Sequence, residues 1–295
     1  MLHIARKINP HIIVIGIIVL LSAAALSMTA IIHSQQTPSA PPPDDAPITS
    51  ELDPPIITPP IVDPPPPEPE EEPIPEAPPA PQPNYYEDRI VYLSVDDGPS
   101  FHTARLLDIT REHNIPITHF VTATFSNHLH LIRRAHDQGN AICLHSHSHD
   151  YALIYSSEEA FFADLALISN IINSQIGYAP TCLRFPGGSS NTVSRRHNQG
   201  IMTRLSAAVR ERGLKHYDWN CSLGDTDRGA TVNSMVANVQ ACIDRGRSPL
   251  HILAHDTNAA TVDAISHIIP LLLQNGYQFH AITPNTREIH HRIAN

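Results

Sequence analysis

From Arg89 to the end, the chain alternates between short apolar runs and longer amphipathic segments, and this alternation is the strongest constraint on its fold. RIVYLSV, ITHFVTA, AICLHS, TCLRFP, HYDWNC, LHILAH and YQFHAIT read as strands. Helix-like segments lie between them, near 103–113, 127–138, 157–174, 193–212, 231–245 and 261–275. The segment at 157–174 opens with Ser156 and Glu159 in capping-box spacing. Phe161, Phe162, Leu165, Ile168, Ile171 and Ile172 then recur at helical spacing, which predicts a core-facing stripe. Repeated strand–helix alternation predicts an α/β domain with a parallel sheet of about seven strands, open or closed into a barrel.

The stretch before Arg89 is of a different kind. Arg6 and Lys7 precede an apolar run from Ile12 to Ile32. At about 1.5 Å per residue such a run spans roughly 30 Å, the thickness of a bilayer core. Basic residues on its N-terminal side alone put that end in the cytoplasm and the remainder of the chain outside. SAAALS offers a signal-cleavage alternative, which would give a secreted protein, but the apolar run continues past it. Of the 28 prolines, 20 fall between Pro38 and Pro83, together with ten acids and no Lys or Arg. Such a segment cannot bury a core and reads as a disordered, semi-rigid acidic spacer of up to roughly 150 Å. The expected organisation is a cytoplasmic tail (1–10), a transmembrane signal anchor (11–33), the linker (34–84) and one exported domain (85–295). Residues 84–295 carry 19 acids and 17 bases, so the net charge of −10 belongs mostly to the linker. The near-neutral domain offers no electrostatic case for a nucleic-acid partner. Nothing in the sequence specifies an oligomeric state.

In parallel α/β folds, ligands collect at the C-terminal ends of the strands. DDGPS, HSHSHD, RFPGGS, DW and AHD all fall at such ends. Neighbouring side chains on a strand point to opposite faces, so Asp96 and Asp97 can take different tasks, one on a metal and one free as a base. His145, His147 and His149 would share a face if the strand simply continued, and would not if the chain turned after His145. One aspartate with two histidines supplies the three ligands common in catalytic zinc sites.

The ordered set SVDDGPS, HSHSH, RFPGGS, YDW and LAH resembles the five motifs of the NodB-type polysaccharide deacetylases, carbohydrate esterase family 4, and the likeness covers residues 90–285. It implies a distorted (β/α) barrel and one divalent metal ion, zinc or alternatively cobalt or another divalent ion, held by Asp97, His145 and His149. His147 would occupy a variable position. The resemblance further implies that Asp96 is the general base, oriented by Arg184, and that the backbone N–H of Gly187 meets the developing oxyanion. His255 would protonate the leaving amine, Asp218 would keep that histidine charged, and Trp219 with Leu253 would wall the acetyl pocket. Val95 replaces a common phenylalanine, Gly187 stands where many members carry an aromatic residue, and Lys215 stands where an acid is frequent.

The implied activity is deacetylation of a cell-wall polysaccharide, with peptidoglycan N-acetylglucosamine favoured by a membrane tether that limits reach. Chitin oligomers or acetylated xylan are the alternative substrates. A metal amidohydrolase using His-x-His would want a carboxylated lysine, and the domain has only Lys215. A non-catalytic wall-binding module with a decayed site is the remaining possibility, against which every chemical position is filled. His251 reads as a packing residue and His290 and His291 as solvated tail. Cys143, Cys182, Cys221 and Cys242 allow three disulfide connectivities, with single buried thiols expected for at least two of them.

Overall fold

The computed structural model describes residues 89–294. The strands are β1 (Ile90–Asp96), β2 (Thr118–Val121), β3 (Ala141–Leu144), β4 (Cys182–Leu183), β5 (Lys215–His216), β6 (Cys221–Ser222), β7 (Leu250–His255) and β8 (Gln278–Phe279). The helices are α1 (Thr103–Glu112), α2 (Leu131–Asp137), α3 (Tyr151–Ile154), α4 (Glu158–Ile176), α5 (Ile201–Glu211), α6 (Val232–Asp244) and α7 (Ala259–Gln274). Strands pair in the order β5-β4-β3-β2-β1-β7-β6, every pair parallel, and β8 joins the start of β1. The sheet curls into a half-barrel, consistent with the expected distorted barrel.

The two-residue alternation of β1 sorts its side chains. Val91, Leu93 and Val95 face outward under α6 and α7, while Leu144, Leu183 and Val121 pack outward under α2, α4 and α5. Ile90, Tyr92, Phe120, Cys143 and Tyr217 form a separate inner cluster. His251, expected to be a packing residue, belongs inside with a ring stacked on Tyr92 at 4.6 Å.

The run HYDWNC, read as one strand, is instead two short strands on opposite edges of the sheet. β5 pairs with β4 and β6 pairs with β7, so residues 217–220 cross the gap between the edges. The carbonyls of Tyr217 and Asp218 accept from the Arg184 guanidinium at 2.9 and 3.1 Å, which replaces the sheet bonds a continuous strand would have made. The segment 193–212 likewise begins as a single 3-10 turn at Ser194–Arg196 and becomes α5 only at Ile201.

Helix α4 is capped one residue later than its sequence suggests: Ser157 accepts from the N–H of Ala160. Phe161, Leu165, Ile168 and Ile172 are buried, with Phe162 and Ile171 packed at the margin. The tail is held to the domain although His290 remains exposed, as expected of it. His290 stacks on His216 at 3.9 Å, and the His291 N–H donates to Asp218 at 2.7 Å.

All four cysteines are paired, Cys143 with Cys182 and Cys221 with Cys242, which corrects the expectation of single thiols. Adjacent inner strands bring the first pair together, while the second ties β6 to α6. Among the described residues no helix is long and apolar enough to cross a membrane; the expected tail, anchor and linker (1–84) lie outside them, as do residues 85–88 of the domain.

The bonded pairs are 39 and 21 residues apart in sequence. Closing loops of this size stabilises a fold by roughly 3–4 kcal/mol in the chain-entropy account. Replacing Cys221 and Cys242 together with serine should therefore lower the unfolding free energy by about 3 kcal/mol, measured by denaturant titration. An unchanged midpoint would show that the cross-link constrains nothing beyond what packing already fixes.

Candidate active site

The C-terminal end of β1 carries the first two acids, and they do diverge. Asp96 is the last residue of the strand, buried and directed inward, while Asp97 turns off it in the left-handed region with φ 69°. That uncommon conformation is held by Thr122, whose hydroxyl donates to the Asp97 carbonyl at 2.7 Å. β3 ends at Leu144, so the chain has turned before the third histidine, and the rule that alternate residues share a face no longer applies.

His145 and His149 converge on Asp97. Their Nε2 atoms lie 3.3 and 3.2 Å from its Oδ1. His147 is not part of this group; its carbonyl accepts from Ala123 and its N–H donates to Asp164. The turn that brings His149 back also has a left-handed residue, His149 itself at φ 54°.

Asp164 holds the whole turn together. Its Oδ2 accepts from the Ser146 hydroxyl at 2.6 Å and from the His147 N–H at 2.7 Å, and its Oδ1 accepts from the Ser148 N–H at 2.9 Å. Sequence reasoning missed this residue. The signal was present, since Asp164 is an acid on the buried stripe of α4, between Phe161 and Leu165.

His145 is tautomerically fixed. Its Nδ1 lies 2.8 Å from the Arg184 carbonyl, which must accept, so the Nε2 lone pair faces Asp97. Burial works against a charge on His145, but the carboxylates of Asp96 and Asp97 outweigh it and raise its pKa. Burial likewise pushes the Asp97 carboxyl upward, and His145 reverses this, holding it well below the usual carboxylate range. Burial lowers His149. Asp97 Oδ1 is buried without a hydrogen-bond partner. An orphaned carboxylate oxygen facing two imidazole nitrogens is a donor set suited to a divalent ion, and Asp97, His145 and His149 could hold one.

Asp96 is held from the other side by Arg184, whose Nη1 donates to Asp96 Oδ1 at 2.7 Å and to Ser94 Oγ at 2.8 Å. The guanidinium is 1% exposed and lies 4.1 Å from the centroid of the Phe120 ring. Oδ2 of Asp96 is left facing His145 Nε2 at 3.8 Å.

Across the barrel mouth, His255 ends β7, in register with Asp96. Its partner is Asp225 and not Asp218, which corrects the expected pairing. Asp225 accepts from the His255 N–H at 2.7 Å, lies 3.2 Å from its Nδ1 and accepts from Thr261 at 3.1 Å. Asp218 is instead committed to the Ser189 N–H and hydroxyl and to the His291 N–H, so it fastens the RFPGGS loop and the tail to the crossing segment. The motif resemblance singled out Asp218, inside HYDWNC, while Asp225, four residues past that run, carried no motif of its own.

Gly187 lies on the loop after β4 at φ 76°, and Trp219 stands over the neighbouring Gly188. Leu253 is buried on β7 two residues before His255. The phenol of Tyr151, at the start of α3, is pushed by burial and by Asp97 and Asp96 to about 12 and remains a hydroxyl at neutral pH.

The model of the polysaccharide deacetylase family matches residues 84–201. A peptidoglycan-N-acetylglucosamine deacetylase of Bacillus cereus is 31% identical over 205 residues, covering 67% of this chain and 71% of that protein. A chitooligosaccharide deacetylase of Bradyrhizobium is also 31% identical, over 66% of this chain and 89% of its own. Among solved structures, the catalytic domain of a peptidoglycan N-acetylglucosamine deacetylase from Eubacterium rectale superposes with a TM-score of 0.69 at 39% identity, covering 70% of this chain and 94% of that one.

Burial lowers the His255 pKa, but the Asp225 hydrogen bond, with Asp96 and further charge, overrides it and raises the value from 6.5 to about 9. A raised folded-state pKa means that this pairing contributes its full stability below about pH 6.5 and loses it as pH rises through about 9. In Asp225→Asn, the His255 ring titration followed by NMR should move down toward its ordinary value. A titration that stays put would show that Asp225 does not set it.

Proposed function

The chain belongs to the polysaccharide deacetylase family, and from that premise we propose that it removes N-acetyl groups from peptidoglycan glycan strands, acting on N-acetylglucosamine. The observation that carries this reading is the division of labour between adjacent acids: Asp97 faces two imidazoles, while Asp96 is held apart by a buried arginine.

A divalent ion held by Asp97, His145 and His149, zinc by the chemistry of the donors, supplies Lewis acidity toward an acyl oxygen when bound. Asp96 takes the proton of the attacking water. Arg184 keeps that carboxylate aimed through a direct ion pair. The Gly187 N–H donates to the oxygen on which charge develops. His255, held protonated by Asp225, gives its proton to the departing amine. Trp219 and Leu253 wall the acetyl methyl.

We further infer an exported domain, carried by a membrane anchor at residues 11–33 and a stiff linker at 34–84. Two disulfides support an oxidising compartment. A tether of roughly 150 Å at full extension favours a substrate in the inner wall. The peptidoglycan deacetylases of Bacillus cereus and Eubacterium rectale support the choice of polymer. Similarity to a chitooligosaccharide deacetylase supports a second reading, in which chitin oligomers are the substrate. An amidohydrolase site lacks its lysine, since Lys215 donates to the Pro284 carbonyl.

Three measurements test this function. Asp96→Asn should retain its metal and lose acetate release by roughly 10²–10⁴-fold, as expected for a general base. His145→Ala and His149→Ala should each lose the metal while His147→Ala keeps it, read by elemental analysis of the purified protein. Metal loss in His147→Ala with retention in His149→Ala would overturn the ligand assignment. Mass analysis of muropeptides from cells with and without the gene distinguishes the polymers: sugars lacking an acetyl group should appear only with it. Unchanged muropeptides with brisk acetate release from chitin oligomers would favour the second reading.

A further inference from the structure

We propose that the Tyr151 hydroxyl is a further catalytic donor, holding the acyl oxygen of the substrate jointly with the Gly187 N–H. The proposal rests on the deacetylase reading and adds to it a side chain from a different loop.

Gly187 is a residue whose side-chain volume is already taken. A Cβ built on it would fall 2.7 Å from Tyr151 Oη and 3.4 Å from Cε1 of the same ring. The phenol therefore ends where the side chain of residue 187 would begin, beside the backbone group assigned to the oxyanion. Neither donor is committed elsewhere: among the described residues the Gly187 N–H and the Tyr151 hydroxyl have no hydrogen-bond partner. Two adjacent uncommitted donors at the mouth of an acid–base site define a place for an acceptor oxygen with two lone pairs.

The ring is also held. Its plane meets that of His149 at 83°, with centroids 5.5 Å apart, which fixes the phenol against one of the histidines that face Asp97. On its other side it meets the Tyr155 ring edge-on at 5.6 Å. Tyr155 sits one helical turn further on, and its own hydroxyl is used up on the Pro186 carbonyl at 2.7 Å. Asp150 caps α3 by accepting from the Ala152 and Leu153 N–H groups, so the direction in which Tyr151 leaves the helix is set at its first turn. The two tyrosines at the ends of this short helix thus divide the work: Tyr155 anchors the Gly187 loop and Tyr151 leaves its hydroxyl free.

A positioned neutral donor is worth most where charge develops, so its effect falls on kcat rather than KM. The hydroxyl keeps its proton throughout; the step exchanges only hydrogen bonds. The test uses the full chain loaded with zinc. Tyr151→Phe should release acetate from tetra-N-acetylchitotetraose with kcat reduced roughly 10²-fold and KM little changed. Its zinc content should match wild type, and its affinity for free acetate, measured by calorimetry, should fall about tenfold, as one lost hydrogen bond implies. Tyr151→Leu separates donor from packing. If the ring only packs, Phe behaves as wild type and Leu alone is impaired, which overturns the proposal. Loss of zinc in Tyr151→Phe also overturns it, since the tyrosine would then act through the metal. A wild-type protein that releases no acetate from any glycan defeats the deacetylase reading itself. The acetate comparison still judges Tyr151 in that case, and equal affinity in wild type and Tyr151→Phe removes it as a donor.

Discussion

One buried guanidinium holds the centre of this molecule. Arg184 leaves β4 and spends its donors on Ser94 and Asp96 of β1 and on the carbonyls of Tyr217 and Asp218 in the segment that crosses the open side of the barrel. The charge is tolerated there because it is paired, hydrogen-bonded through all three of its nitrogens and covered by the Phe120 ring. The same bonds do two jobs at once. They close the barrel where no strand pairing exists, and they turn the Asp96 carboxylate toward the histidines. Stability and chemistry share a residue, and a lysine could not replace its fork of donors.

Around that centre the site is built from conformations the backbone does not adopt readily. Asp97 and His149 both occupy the left-handed region, one fastened by Thr122 and the other by the Ser146–Asp164 pair. Residues held in sparsely populated conformations persist only where the surroundings over-determine them, and such residues gather at functional sites. Here the result is that three donor atoms lie within 4.8 Å of one another in the folded chain itself. The reorganisation that a ligand would otherwise have to supply is done by folding.

Much of this was legible in the sequence, for identifiable reasons. The parallel sheet showed itself because strands buried on both faces are nearly continuous apolar runs. The site showed itself because polar clusters interrupt those runs only at their C-terminal ends. What stayed hidden depended on contacts remote in sequence. HYDWNC looks like a strand locally, and only a guanidinium 33 residues away from Tyr217 diverts its carbonyls. Asp218 and Asp225 are alike as letters. Only the position of the Thr261 hydroxyl and of the β7 backbone selects Asp225 for His255. His291 looks like a frayed end and is in fact fastened to Asp218 and Trp219.

The pairing of β1 with β7 has a consequence for the order in which the molecule can be made. β1 is the first strand of the domain, yet its longest ladder runs from Val91–Leu250 to Asp96–His255. A growing chain must carry β1 half-paired until nearly the whole domain has been synthesised, and it meets the loop-closure cost of distant pairing before any reward arrives. The first acid and the last histidine of the site therefore come together in the same event that seals the middle of the sheet. Shorter chains, such as those left by early termination or proteolysis before residue 250, cannot assemble half an enzyme. Without β7 they would leave one edge of β1 unpaired, the kind of open edge that favours association over a folded, partly active domain.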